Sequence, residues 1–168
     1  MNELKLAAAI LVGMLVAACS SSTTSTPGGS ATASPALADG KHYGEIKAVA
    51  VDPDSVTFDV EEYLTGQAAT DAAVADGVIK PGESMPDDVY VRNTNKATTT
   101  LAVAPSVEVR ILGLDGGAPT MKPVSFAEFA KRFKGNIAPR ALGSLKEFGY
   151  WVTLTNGQVT AIEEQYHP

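Results

Sequence analysis

The sequence predicts a mainly β domain of the α+β class: a small antiparallel barrel or strongly coiled sheet with two short helices, the alternative being a two-layer α+β sandwich. Three observations predict it. Apolar and polar residues alternate over several runs of strand length, the pattern of half-buried strands. Asn156-Gly157, between two such runs, is a strong hairpin signal. Only two segments carry helix signals, and both are short. An oligonucleotide-fold-like five-stranded barrel is one way to connect these elements.

Taken in order, His42 to Val51 (HYGEIKAVAV) and Val56 to Leu64 (VTFDVEEYL) flank a Pro- and Asp-containing break and read as a hairpin. In the second run Val56, Phe58 and Val60 alternate with Thr57, Asp59 and Glu61. The next stretch, TGQAATDAAVADG, predicts a short helix ended by Gly77. Its Ala68, Ala69, Ala72, Ala73 and Ala75 would let it lie very close to a sheet. VIKPGESMPDD is a loop, rich in Pro, Gly and acids. VYVRNTNKATTTLAVA and VEVRILGL alternate again, with Asn93-Thr94-Asn95-Lys96 marking a turn in the first. Gly113 to Gly117 (GLDGG) is also a turn, since it lacks the Lys-Ser/Thr of a phosphate loop and no helix follows directly.

The second helix has the clearest local signals. Ser125 can cap it and Glu128, three residues on, completes a capping box, while Val124 and Phe129 are placed as a hydrophobic staple. Phe126, Phe129, Ala130 and Phe133 fall on one face. Lys131, Arg132 and Lys134 sit in the last turn, where the helix dipole favours cations, and Gly135 ends the helix. The chain closes with YWVTLTNGQVTAIEEQYHP, a hairpin about Asn156-Gly157. An unbroken register pairs Leu154 with Val159 and Val152 with Ala161 on one face, and Trp151 with Ile162 and Thr153 with Thr160 on the other.

The first 38 residues have another character. Residues 1–18 read as a signal peptide: a short leader with Lys5, then 13 residues from Leu6 to Ala18 without a charge. That run is too short for a membrane span, which needs about 20 apolar residues. Val16-Ala17-Ala18-Cys19 resembles the lipobox of bacterial lipoproteins, which implies a diacylglyceryl thioether on Cys19, cleavage before it, and usually acylation of the new amino terminus. Residues 19–38 are then the lipidated cysteine and a tether. Ser20 to Ala36 comprises six Ser, four Thr, three Ala, two Gly and two Pro, too polar to fold alone. On flexible-chain scaling it reaches roughly 20–25 Å. Residues 39–168 form a single globular domain.

The features ADGKHYGEIKAV, LTGQAATDAAVADG, DVYVRNTN and WVTLTNGQVTAIEEQY resemble a group of small secreted proteins and lipoproteins of actinobacteria. The resemblance implies an anchored, extracytoplasmic protein of a Gram-positive envelope. It carries no catalytic residue.

The net charge is −6, and loss of Glu3 and Lys5 with the leader leaves it unchanged. An acidic domain lacks the electrostatic footprint of a nucleic-acid binder, so membrane contact is expected through the lipid alone. No cofactor is expected beyond that covalent lipid. Loop acids Asp52, Asp54, Asp76, Glu83, Asp87 and Asp88 lack an EF-hand register and read as turn residues; Asp76, Asp87 and Asp88 are the weak candidates for a metal. His42 and His167, with Glu163 or Glu164 nearby, would approach each other if the first and last strands paired, as a pH-sensitive or transition-metal site would require. Two isolated histidines are more often polar residues at strand ends. No Gly-x-Ser-x-Gly elbow presents a nucleophile, so no catalytic residue is assigned. Tyr90, Arg92 and Asn93 on one strand, with Trp151 and Tyr166, are the candidate recognition residues, of the types enriched at binding hot spots. The expected function is a non-enzymatic binding domain for an envelope protein or small ligand. The alternatives are an envelope hydrolase using acidic residues and a structural surface lipoprotein.

Overall fold

A computed structural model describes residues 37–135 and 142–166. Seven strands form the fold: β1 (Gly40–Ala50), β2 (Ser55–Thr65), β3 (Val89–Arg92), β4 (Thr98–Asp115), β5 (Ala118–Val124), β6 (Tyr150–Thr155) and β7 (Gln158–Glu164). Helix α1 (Gly66–Ala75) follows β2, and α2 (Phe126–Phe133) follows β5. The order β3-β2-β1-β6-β7-β4-β5 closes on itself through an added β2–β4 pairing. Five strands, β1-β2-β4-β7-β6, therefore make a closed barrel with two helices, the mainly β arrangement the sequence predicts. One pairing departs from the antiparallel expectation: β4 and β7 run parallel. β3 and β5 extend the far ends of β2 and β4 beyond the barrel.

Alternation fills the interior. Val56 and Phe58 of β2, Val152 and Leu154 of β6, and Val159 and Ile162 of β7 are all buried. α2 delivers Phe126, Phe129, Ala130 and Phe133 into the same core. Burying a phenylalanine side chain contributes roughly 1.5–3 kcal/mol, so three from two helical turns make α2 a major source of stability. Ser125 caps the helix, accepting from the Glu128 amide at 3.2 Å. The reciprocal half of the expected box gives way to an ion pair, in which Arg132 donates to the Glu128 carboxylate at 2.5 and 3.0 Å. A full capping box stands instead at Ser144 and Glu147, on the 3-10 turn Leu145–Glu147. α1 ends as its glycine predicts. Gly77 has φ 72°, its amide donates to Val74 O, and the Val78 amide donates to Ala73 O, which is the Schellman pattern.

Three departures from the sequence expectations have local causes. The final hairpin keeps Leu154 opposite Val159, but an irregularity follows, so Val152 faces Ile162, Thr153 faces Ala161 and Trp151 faces Glu163. One extra residue thus turns Ile162 into the core, where it is fully buried. VYVRNTNKATTTLAVA and VEVRILGL supply β3 and one 18-residue strand, β4. β4 is irregular between Val103 and Glu108, where Pro105 removes a ladder donor. β5 was not expected at all, because Pro119 and Pro123 break the strand pattern; it lies at an edge, where Pro is tolerated.

Candidate functional site

β1, β2, β6 and β7 turn one row of side chains away from the core. Cross-strand register aligns Glu61, Tyr43, Trp151 and Glu163 in that row. Tyr43, Tyr63 and Trp151 contact one another with ring centroids 4.7, 5.1 and 5.5 Å apart, in tilted and edge-to-face geometry. Trp151 Nε1 donates to Gln165 Oε1 at 2.8 Å, which fixes the indole. Lys41 lies 5.2 Å from the indole centroid and pairs with Glu163 at 2.9 Å.

Beside this platform a groove of about 450 Å³ runs towards the β4–β5 hairpin, and Trp151, Tyr166, Met121, Pro119 and Lys41 are among its lining residues. Its volume falls in the range of small-ligand sites. Met121 and Tyr166 are 36% and 41% exposed, so the groove offers apolar surface to solvent. Two of the five sequence-predicted recognition residues, Trp151 and Tyr166, therefore come together here. Lys41 and Met121 were not anticipated, and Met121 lies on the unexpected strand β5. Glu163 was expected only as a neighbour of a histidine pair, not of Trp151.

Tyr90 and Arg92 go elsewhere. Arg92 holds Asp76 through Nε at 2.8 Å and Nη2 at 2.7 Å, and the Tyr90 hydroxyl donates to the same carboxylate at 3.1 Å. This fork ties the C-terminal end of α1 to β3, and Arg92 also lines a cleft separate from the groove. The guanidinium bond, with a smaller contribution from Tyr90, holds the Asp76 carboxyl below its usual range. Both Asp76 carboxylate oxygens thus accept hydrogen bonds within the clamp. Asp87 and Asp88 are exposed, and among the described residues no three acidic, histidine or cysteine side chains converge on a metal position. His42 does not meet the chain end through strand pairing: β1 pairs with β6 instead of β7, and the His42 ring bonds to Ala38 O at 2.8 Å. His167 and Cys19 lie outside the described residues.

The clamp makes a pH prediction. A carboxyl depressed in the folded state adds stability above its unfolded pKa, and that stability is lost as pH falls through the folded value. Arg92→Leu is expected to lower the thermal midpoint at neutral pH, and the gap from wild type should close as both are acidified towards pH 2. Melting curves across pH 2–7 check this. A gap constant with pH means the clamp is not the cause.

Asn93, the fifth recognition candidate, faces a second cluster. Its Nδ2 donates to Asp59 Oδ2 at 3.2 Å and to Glu61 Oε1 at 3.0 Å. Lys47 pairs with Glu45 and lies 3.6 Å from Asp59 Oδ2. Burial, reinforced by the Glu45 and Asp59 charges, raises the Glu61 carboxyl against the opposing Asn93 bond. Burial and then the Glu61 carboxylate push the Tyr43 phenol well above the usual tyrosine range. Glu61 also lines an open cleft of about 390 Å³ with Leu37, Arg92 and Asn95.

No known family, curated protein or solved structure matches the chain. Function therefore has to be argued from these two surfaces.

Proposed function

We propose that the chain is a lipid-anchored, extracytoplasmic, non-enzymatic binding domain whose ligand or envelope-protein partner engages the Trp151–Met121–Tyr166 groove. The anchor rests on Val16-Ala17-Ala18-Cys19 and the polar tether behind it. Two or three acyl chains hold a protein stably at a bilayer, whereas one does so only marginally. The resemblance to small actinobacterial secreted proteins and lipoproteins supports the same location. Among the described residues no helix is long and apolar enough to cross a membrane. The observation that carries binding is the groove itself: exposed apolar side chains beside a rigid aromatic platform, flanked by the Lys41–Glu163 ion pair.

Two measurements test the reading. Mass spectrometry of the mature amino-terminal peptide should show the lipid on Cys19, and Cys19→Ala should move the protein into the aqueous phase of a detergent partition. A photo-reactive residue at Met121 should capture one reproducible molecule in intact cells, and Tyr166→Ala should reduce that capture severalfold. Capture that is undiminished in Tyr166→Ala, or equal from exposed Lys96, removes the groove from the account. A second reading, an envelope hydrolase, draws on one observation: the half-buried Glu61, its pKa raised, lies beside buried Asp59 and on a cleft. The Asn93 amide bridging the two carboxylates favours a structural role over proton transfer.

A further inference from the structure

Taking the Trp151–Met121–Tyr166 groove as the binding site, we infer that its ligand is a small organic cation, an ammonium group on an apolar body. The ligand's ammonium takes the position that the Lys41 ammonium holds in the free protein.

Lys41 shows what that position accepts. Its Nζ lies 5.2 Å from the Trp151 ring centroid and donates to Glu163 Oε2 at 2.9 Å. An ammonium there meets the negative face of an indole and a carboxylate at once. The Trp151 end of this arrangement is fixed, because the indole Nε1 donates to Gln165. The Lys41 end is loose: its side chain is 51% exposed and that of Glu163 34%. An exposed ion pair contributes little to stability, so a ligand ammonium displaces Lys41 at small cost. Lys41 then swings into solvent on its flexible stem.

The charge of the groove sets the sign of the ligand. Its charged lining residues are Lys41, Glu163 and Glu164, two carboxylates against one ammonium. Glu164 is 3% exposed, and its carboxylate accepts from the Leu112 amide at 2.8 Å, so it is a fixed part of the wall. Arg110, the neighbour of Glu163 in the β4–β7 register, is not among the lining residues. At longer range the chain's net charge of −6 draws cations in and repels anions. Pro119, Met121 and Tyr166 supply the apolar wall for the body of the ligand, and about 450 Å³ suits a small molecule. An uncharged ligand of the same shape would use that wall alone and leave the indole and Glu163 to Lys41.

Trp151 is the chain's only tryptophan, so its emission reports the groove directly. The test titrates the full mature chain with hexylammonium, hexanol and hexanoate, one apolar body carrying a positive, no or a negative charge. Hexylammonium should change the emission saturably and bind at least about tenfold tighter than hexanol, with hexanoate weakest. Added NaCl should narrow that preference. Glu163→Gln should weaken hexylammonium about tenfold and leave hexanol unchanged. Lys41→Met should strengthen hexylammonium severalfold, because the competing ammonium is gone while an apolar stem remains. Both side chains are partly exposed, so both variants should fold. Equal affinity for hexylammonium and hexanol, tighter binding of hexanoate, or weaker binding of hexylammonium by Lys41→Met overturns the ligand class and leaves the groove a binding site. Failure of hexylammonium to bind overturns the class as well, and photo-capture at Met121 then separates the two claims. Capture that persists leaves the groove in place, whereas its loss removes both.

Discussion

Phe129→Ala is expected to cost about 3–5 kcal/mol and to leave the domain only marginally folded at 37 °C. Truncation of a buried phenylalanine removes the transfer free energy of its ring and leaves a cavity the neighbours fill only partly. Phe129 has no exposed surface, and its ring lies 6.3 Å from Phe126, 5.8 Å from Phe133 and 5.8 Å from Tyr150, the last edge to face. The cavity would open between α2 and the strands it covers. Tyr150 depends on the same packing, because its buried hydroxyl donates to Leu145 O at 2.6 Å. A domain of this size has roughly 5–15 kcal/mol in total, so one such loss is a large share. Urea unfolding gives the number. A cost below about 1.5 kcal/mol would mean that α2 is a peripheral cover and not part of the core. Phe129→Leu, which keeps most of the volume, should cost visibly less.

That the helix carries this weight was legible before any coordinates: Ser125, Glu128 and the spacing of Phe126, Phe129 and Phe133 are local signals, and local signals survive folding. The alternation of Val56 and Phe58 and the Asn156-Gly157 turn were legible for the same reason. What the sequence left hidden depends on distant partners. Nothing near Thr160 announces the irregularity that turns Ile162 inward; the core's demand for a large side chain opposite Val152 sets it. β5 was hidden by Pro119 and Pro123, tolerable only because its outer edge is unpaired.

The sites divide in the same way. Residue type marked Trp151, Tyr166, Tyr90 and Arg92 as recognition groups, but type cannot tell an open arginine from a paired one. Asp76 lies 16 positions before Arg92, and only the packing of α1 on β3 joins them. Asp59 is the sharper case. Alternation with Phe58 and Val60 places it on the solvent side of β2, yet it is 3% exposed. β3 pairs alongside β2 and brings the Asn93 amide against its carboxylate. A carboxylate covered in this way does not arise from a pattern of period two.

Gly44→Ala should be the most damaging added methyl among the described glycines. Gly44 lies outside the left-handed region, so its value is not conformational freedom but the absence of a side chain. A Cβ there would stand 1.9 Å from the Asp59 carbonyl oxygen and 3.1 Å from the Phe58 ring. The nearest obstacle is backbone, which cannot step aside as a flexible side chain can. β1 and β2 must part, and this ladder is one of the five that close the barrel. The expected cost exceeds about 4 kcal/mol, at the extreme of single substitutions. Circular dichroism should show loss of the cooperative transition or a midpoint far below wild type. The same displacement would move Asp59 and Glu45, its cross-strand partner, out of line. A near-native midpoint would show that the two strands have slack where the packing of Gly44 against the Asp59 backbone leaves none.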